Sequence, residues 1–237
     1  MTRRQIMLSG VAAGAALTGT APAHAAGNPL FEALAAAGPA PGEAEKLQLY
    51  AFLIGRWEFD ITTFEPGGAE HRGQGEIHAG WVLEGRALQD VWMIPRRADR
   101  PAPPLPVAGN WYGTTLRIYD PRLDAWHILW SDPATQFYAR QVGRAQGDRI
   151  VQEGRHDSGV ILRWSFSDIT ADAFRWRGEH SADGRDFRLQ VDIRARRAAS
   201  GPDQSARSEM RRPSLRTTAA RSKALAVACS LRRPKAA

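Results

Sequence analysis

Residues 160–168 read Val-Ile-Leu-Arg-Trp-Ser-Phe-Ser-Asp, and residues 173–181 read Ala-Phe-Arg-Trp-Arg-Gly-Glu-His-Ser. Apolar and polar side chains alternate in both stretches, which is typical of a strand with one face on a core and the other in solvent. The same period of two recurs in residues 126–131 and 186–195. The predicted inward residues of these four strands are Val160, Leu162, Trp164, Phe166, Phe174, Trp176, Gly178, His180, Phe187, Leu189, Val191, Ile193, Trp126, Ile128 and Trp130.

The alternation extends over most of the chain and predicts ten strands. Turn sequences such as Pro66-Gly67-Gly68 and Asp183-Gly184 separate neighbouring strands, and no long helix intervenes. This spacing predicts an all-β, antiparallel up-and-down sheet, which hides its edges by closing into a barrel. A two-layer sandwich is the alternative. The predicted strands are residues 56–64, 73–81, 86–94, 113–119, 126–131, 136–143, 149–154, 160–168, 173–181 and 186–195.

Two short helical segments precede the strands. Asn28 is a good N-cap, and Pro29 suits the first position of a helix over residues 30–37. Residues 43–54 have apolar side chains at helical spacing, which predicts a second helix with one buried face. That face consists of Leu47, Tyr50, Ala51 and Ile54.

The connection over residues 95–110 is the longest between the predicted strands, and it contains five prolines. Proline removes a backbone donor and stiffens an extended chain, so this segment is excluded from the interior of a sheet. On a barrel it would lie at one rim. It is interpreted either as a lid over the mouth or as a tolerated insertion.

Charge separates the chain into parts. The 237 residues include 32 Lys and Arg against 25 Asp and Glu, which gives a formal net charge of +7. An excess of this kind suggests a nucleic acid or a membrane surface as partner. Here it lies at the two ends, in residues 1–25 and 198–237, whereas residues 26–197 are slightly acidic. The charge therefore marks the ends of the domain and does not indicate a partner.

The first 25 residues resemble a secretory signal. Arg3-Arg4 precede a short uncharged stretch, which ends in Ala23-His24-Ala25. A basic start, an apolar middle and an Ala-x-Ala end are the parts of such a signal, and the stretch is too short for a stable membrane span. The adjacent arginines favour the twin-arginine route over general secretion. We expect cleavage after Ala25 and a periplasmic or extracellular protein.

Residues 198–237 form a basic segment without aromatic residues or apolar periodicity. Such a composition predicts a disordered tail, and the absence of aromatics argues against a nucleic-acid partner. The single cysteine, Cys229, lies here, so an intramolecular disulfide and a Cys-based zinc site are excluded. The predicted organisation is a signal (1–25), a helical or linker segment (26–44), a barrel (45–197) and a tail (198–237).

Tryptophans are concentrated on the predicted inward faces. They either fill a core or line a cavity for an apolar or aromatic molecule, and composition does not choose between these. The predicted lining tryptophans are Trp57, Trp92, Trp126, Trp130, Trp164 and Trp176.

Two polar residues share the inward register. Asp90 alternates with Leu88 and Trp92, and His180 alternates with Trp176. A buried carboxylate or imidazole needs a partner or a purpose. The two are interpreted either as a hydrogen-bonded acid–base pair at the cavity or as separate residues bonded to backbone or lying at a rim. Arg86 has the parity of Asp90 and is predicted as its ion-pair partner.

The sequence Gly55-Arg56-Trp57, after a short helix and on the first strand, resembles the lipocalin and wider calycin group. Four further stretches are similar to a family of uncharacterised bacterial lipocalin-like proteins: residues 80–86, 88–92, 119–121 and 163–168. The resemblance implies that Trp57 closes one end of the barrel and that a late-strand arginine, Arg188 or Arg194, packs over it. It implies a small apolar ligand and no particular reaction.

No phosphate-binding loop, nucleophile elbow or His-Glu-x-x-His motif occurs in the sequence. No metal site or cofactor is predicted. Haem is a lesser alternative, with His78, His156 or His180 as ligand.

Three functions remain open from the sequence. The first is an exported barrel that binds a small apolar or aromatic molecule. The second is an isomerase, cyclase or hydrolase in the same cavity, with Asp90 and His180 as candidate catalytic residues. The third is an interaction module that uses the basic tail. The oligomeric state is not predicted.

Overall fold

The computed structural model describes residues 28–100 and 110–199. The predicted signal, most of the tail and the centre of the proline-rich connection lie outside the described residues. A first helix, α1 (Pro29–Leu34), begins as predicted, because Asn28 Oδ1 accepts a hydrogen bond from the Leu30 amide at 3.0 Å. It ends earlier than predicted. Ala35–Ala36 instead form a short strand, β1, which pairs with the end of strand β3 (Glu70–Val82).

The second predicted helix is a chain of three short turns. A 3-10 turn (Pro41–Glu43) leads into α2 (Ala44–Leu47), and a second 3-10 helix spans Gln48–Leu53. The residues buried here are Leu47, Tyr50 and Leu53. Their spacing of three is that of a 3-10 helix, in which residues i and i+3 are aligned, so Ala51 and Ile54 of the predicted face are only half-buried.

Ten further strands follow one another in an antiparallel meander, and every strand pairs with its neighbours in sequence. Pairing of β3 with β4 and of β2 with the last strand closes the sheet. The predicted fold class is confirmed: a closed antiparallel ten-stranded barrel of calycin-like architecture, preceded by a short helix. Besides β3, the strands are β2 (Gly55–Phe64), β4 (Ala87–Ile94), β5 (Trp111–Asp120), β6 (Ala125–Asp132), β7 (Phe137–Gln146), β8 (Arg149–Arg155), β9 (Ile161–Ser167), β10 (Ala173–Ser181) and β11 (Arg188–Arg197).

The segment over residues 41–54 closes one end of the barrel, which we call the plugged end. Here β2 begins and β11 ends. Trp57 donates from Nε1 to the Leu53 carbonyl at 2.9 Å, and the Tyr50 ring lies edge-on to Trp126 at 4.9 Å between centroids. Tyr50 fits because the facing residue is Gly143, where a Cβ would overlap the tyrosine hydroxyl. We call the opposite end, where β4 ends and β5 begins, the far end.

An arginine packs over Trp57, as the resemblance implied, but it is neither Arg188 nor Arg194. The guanidinium of Arg197 lies 4.2 Å from the centre of the Trp57 ring. Its two terminal nitrogens donate to the carbonyls of Ile54 and Phe52 at 2.9 and 3.1 Å. The last residue of β11 is the one that pairs with Trp57 across the β2–β11 ladder, so it alone has the reach.

The inward faces agree with the predicted alternation except before Val191, where Leu189 pairs with outward-facing Glu179 and Arg188 pairs with inward-facing His180. A bulge between Gly178 and Glu179 shifts the register at the start of β11. Phe187 precedes that strand, and its ring lies 3.5 Å from the guanidinium of Arg163, which extends from the outer wall towards Glu153. Phe187 is therefore not an interior residue.

Candidate functional site

Four tryptophans form a continuous chain of rings across the interior. Trp92 and Trp164 each lie 5.6 Å from Trp176 between ring centroids, and Trp130 lies 6.2 Å from Trp164. Trp92 and Trp176 are buried, whereas Trp130 and Trp164 are half-buried. Tilted and edge-on ring contacts of this kind are favourable, and half-exposed indole faces are the part of the chain that a further aromatic group can meet.

The other two predicted tryptophans belong to the plugged end. Trp57 is fully buried between the Leu53 carbonyl and Arg197. Trp126 packs against Tyr50. Both tryptophans pack against the plug and present no free ring face to a ligand. The candidate site is therefore formed by the four-tryptophan chain and not by all six predicted tryptophans.

Asp90 is buried inside the barrel as predicted, but its partner is Arg117 and not Arg86. Arg117 Nη1 donates to Asp90 Oδ2, and the Thr115 amide donates to Oδ1 at 3.2 Å. Both side chains of the ion pair are essentially inaccessible, at 0% and 2% exposure. Arg86 follows the tight turn that includes Gly85 and stands in solvent beside Glu84, so it is removed from the interior.

Arg117 was missed by the sequence analysis for a physical reason. In β5 the inward residues are Gly113, Thr115 and Arg117, while Leu116 and Ile118 lie on the outer side and are half-buried. Hydrophobic alternation would assign the faces of this strand the wrong way round. The only signal was geometric, since Arg117 pairs directly with inward-facing Leu88.

The ion pair continues into a polar network behind the tryptophans. The Arg117 guanidinium lies 5.3 Å from the centre of the Tyr50 ring, and the Tyr50 hydroxyl accepts from Gln152 Nε2 at 2.9 Å. Gln141 Nε2 donates to the Gln152 carbonyl at 3.3 Å. Burial raises the pKa of Tyr50 to about 12, so the phenol is neutral throughout the physiological range.

Several polar atoms of the interior lack a hydrogen-bond partner. Among the described residues, eight buried side-chain nitrogen or oxygen atoms are unpartnered. Five belong to inward-facing residues: Thr63 Oγ1, Trp92 Nε1, Arg117 Nε, Gln141 Oε1 and Gln152 Oε1. Buried polar groups are nearly always hydrogen-bonded, so five exceptions among the inward-facing side chains point to missing partners.

His180 faces the interior towards the far end, as predicted, but it does not pair with Asp90. Both Asp90 oxygens are taken by Arg117 and Thr115. The ladder places His180 opposite Arg188. Partial burial lowers the pKa of His180, and the nearby Arg188 charge lowers it further. The structure therefore does not assemble the predicted acid–base pair.

The outer wall has a charged groove of about 330 Å³ across β8, β9 and β10. Its charges are partly compensated, since Arg163 donates to Glu153 at 2.7 Å, while Arg149 donates to the neutral Ser165 hydroxyl at 2.9 Å. It contains no aromatic ring, so its chemistry differs from that of the interior. The groove is lined by Gln146, Arg149, Val151, Glu153, Arg163, Arg177 and Glu179.

Metal-binding clusters and membrane-spanning helices are both absent from the described residues. Residues 28–100 and 110–199 contain no cluster of three or more His, Cys, Asp or Glu side chains arranged to hold a metal ion. None of the helices within the same ranges has the length and apolar character needed to cross a membrane.

Comparison with known proteins finds similarity of fold at low sequence identity. No family model matches the chain. No curated protein matches it either. Among solved structures, Rv2717c from M. tuberculosis is 18% identical, with a TM-score of 0.48 over 68% of this chain and 99% of that chain.

Two other solved structures are similar at lower identity. The S-type phycobiliprotein lyase CPES from Guillardia theta is 12% identical, with a TM-score of 0.46 over 69% of this chain and 100% of the lyase. A redesigned β-barrel, mFAP0, bound to DFHBI, is 12% identical, with a TM-score of 0.33 over 62% of this chain and 99% of that chain.

Proposed function

We propose that the protein binds a small apolar or aromatic molecule inside the barrel, between the four-tryptophan chain and the polar network of Asp90, Arg117 and Gln152. The observation that carries the proposal is the set of five unpartnered polar atoms on the inner surface. Leaving one such atom unpaired costs about 1–3 kcal/mol. A bound molecule with hydrogen-bonding groups would supply the missing partners, either directly or through a trapped water.

The position of the proposed site follows from the plug. The plugged end is filled by Tyr50, Leu53 and Trp57, all fully buried. The half-buried rings of Trp130 and Trp164 belong to the part of the interior beyond them. A ligand would therefore enter from the far end and stack on these two rings, because aromatic faces that remain exposed gain most from a further ring.

Fluorescence with the uncharged apolar probe N-phenyl-1-naphthylamine tests this function. Binding should increase the emission of the probe and quench the tryptophans. Trp130→Ala should raise the dissociation constant of the probe about tenfold, which corresponds to a loss of about 1.4 kcal/mol of binding free energy.

The matched control is Leu129→Ala. Leu129 directly precedes Trp130 on β6, faces outwards and is 38% exposed, so its loss should leave binding unchanged. The proposed function is wrong if the wild-type protein does not bind the probe, or if both substitutions weaken binding equally.

We further propose that the protein acts outside the cytoplasm, after export by the twin-arginine route. The support is the sequence of residues 1–25, with its adjacent arginines and Ala-x-Ala end. Mass spectrometry of the exported protein should find Ala26 as the first residue. A mature chain that retains residues 1–25 would contradict the proposal.

A further inference from the structure

Arg117 is the only arginine among the described residues whose side chain is fully buried. A lone buried guanidinium would attract a carboxylate strongly, because the Coulomb energy of such a pair grows as water is excluded. A barrel with that feature would select anionic amphiphiles. Here Arg117 already has a carboxylate partner inside the barrel, because Asp90 on the neighbouring strand pairs with it.

The pair is neutral but incompletely hydrogen-bonded. Asp90 uses both oxygens, one on Arg117 and one on the Thr115 amide. Arg117 retains Nε as a buried donor without a partner. Close by in the same network, Gln141 and Gln152 each have an amide oxygen without a partner. The network therefore offers one free donor and two free acceptors, with no net charge.

The remaining inward-facing titratable groups of the described strands place no positive charge beside the ion pair, and Arg188, which pairs with His180 on β11, is exposed at the far end. Asp132, near the far end, is buried and accepts from the Ala134 amide at 2.9 Å. His71 is bonded to Glu65 at 2.5 Å. Partial burial lowers the pKa of His180 and the Arg188 charge lowers it further, which disfavours the positively charged imidazole. Residues 101–109, which lie outside the described residues, contain no ionisable side chain and add no charge.

We infer that the interior selects uncharged ligands with a group that both donates and accepts hydrogen bonds, such as a carboxamide or an alcohol, against carboxylates of the same shape. The inference rests on the proposed binding function. A carboxylate entering the network would lose its hydration and meet Asp90 with no free buried cation beside it. A carboxamide would donate to a glutamine oxygen and accept from Arg117 Nε at no cost in charge.

Competition against N-phenyl-1-naphthylamine tests this selectivity with three molecules that differ only in one group: 2-naphthamide, 2-naphthalenemethanol and 2-naphthoate. At pH 7.5 the amide and the alcohol should displace the probe at concentrations at least about tenfold below that needed for the carboxylate. Equal displacement by all three molecules, or displacement by the carboxylate alone or by none of them, would overturn the inference. Failure to bind the probe at all would instead overturn the proposed function.

Asp90→Asn tests the cause of the selectivity. The substitution keeps the shape of the side chain and leaves the charge of Arg117 uncompensated, so 2-naphthoate should gain at least about tenfold in affinity relative to 2-naphthamide. The control is Asp60→Asn, on the outer side of β2, where the side chain is 49% exposed and the order of affinities should stay as in the wild type. An unchanged order in folded Asp90→Asn would contradict the inference. If the variant does not fold, the wild-type series alone decides.

Discussion

Glu76 lies on the outer side of β3, yet it is nearly buried, because a short 3-10 turn (Arg97–Asp99) folds over it. One carboxylate oxygen accepts from the Arg97 amide at 3.0 Å and from Arg97 Nε at 2.9 Å, and the other lies 3.4 Å from His78 Nε2. Burial by itself would raise the pKa of Glu76. The bonds from His78 and Arg97 outweigh it and lower the pKa to about 2.

The Glu76 carboxylate should make the free energy of unfolding depend on pH in the acidic range. Because its pKa is lowered in the folded state, its stabilisation is fully present above the ordinary value of 4.5 and is lost as the pH falls towards 2. Glu76→Gln should therefore reduce the free energy of unfolding at pH 7 by about 1–3 kcal/mol. Urea denaturation between pH 7 and pH 2 should show the wild-type advantage shrinking below pH 4.5.

Glu84→Gln is the matched control for this acid effect. Glu84 is 87% exposed, with a 3.6 Å contact to Arg86, so its substitution should change stability by less than about 0.5 kcal/mol at any pH. A wild-type advantage over Glu76→Gln that persists unchanged at pH 2 would contradict the assignment.

At the scale of elements, Arg197 joins three parts of the molecule at the plugged end. Its guanidinium donates to the carbonyls of Phe52, Ile54 and Ala171, and its one carboxylate neighbour, Asp172, is exposed at 3.8 Å. These carbonyls lie at the end of the second 3-10 helix and in the β9–β10 connection. The guanidinium thus fixes the plug to the barrel while it covers Trp57.

Arg197→Ala should loosen the plug. Loss of three charged hydrogen bonds and of the contact with the Trp57 ring is expected to reduce the free energy of unfolding by roughly 2–4 kcal/mol. Hydrogen exchange should show faster opening of residues 48–57 than of the central strands. Arg197→Lys should recover part of the loss, since an ammonium lacks the planar fork of donors.

The neighbouring Arg196→Ala provides the control. Arg196 faces outwards, is 69% exposed and makes only a 3.4 Å contact with Asp60. Its removal should cost less than about 1 kcal/mol. If both alanine variants lose the same stability, the plug is not held by Arg197.

The barrel strands and the arginines that connect them differ in how far the sequence predicts them. All ten barrel strands could be predicted, because each has a period of two on at least part of its length and most end in a turn sequence. The arginine partners of Asp90 and Trp57 could not. Arg117 lies on a strand whose outer residues, Leu116 and Ile118, are the more apolar, and Arg197 is one of several basic residues at the end of β11. Which of these meets Trp57 or Asp90 depends on strand register, which alternation does not determine.

At the scale of the whole molecule, the last barrel strand ends at Arg197 and the ring of strands is complete. Deleting residues 200–237 should therefore shift the midpoint of thermal unfolding by less than about 2 °C. A deletion that begins at residue 186 removes β11 and should abolish cooperative unfolding. A large loss of stability in the shorter deletion would show that the tail packs on the barrel.

Closure of the ring also constrains how the chain folds. The β2–β11 seam joins the first barrel strand to the last, and Arg197 reaches a carbonyl 143 positions earlier in the sequence. Contacts of such separation form late, because the entropy of bringing distant segments together is lost before the contact is gained. The tryptophan-lined interior therefore comes into existence only after synthesis of the barrel is complete. Any ligand acquired during biosynthesis must be captured in the compartment where that final strand docks, which for the proposed export of a folded chain is the cytoplasm.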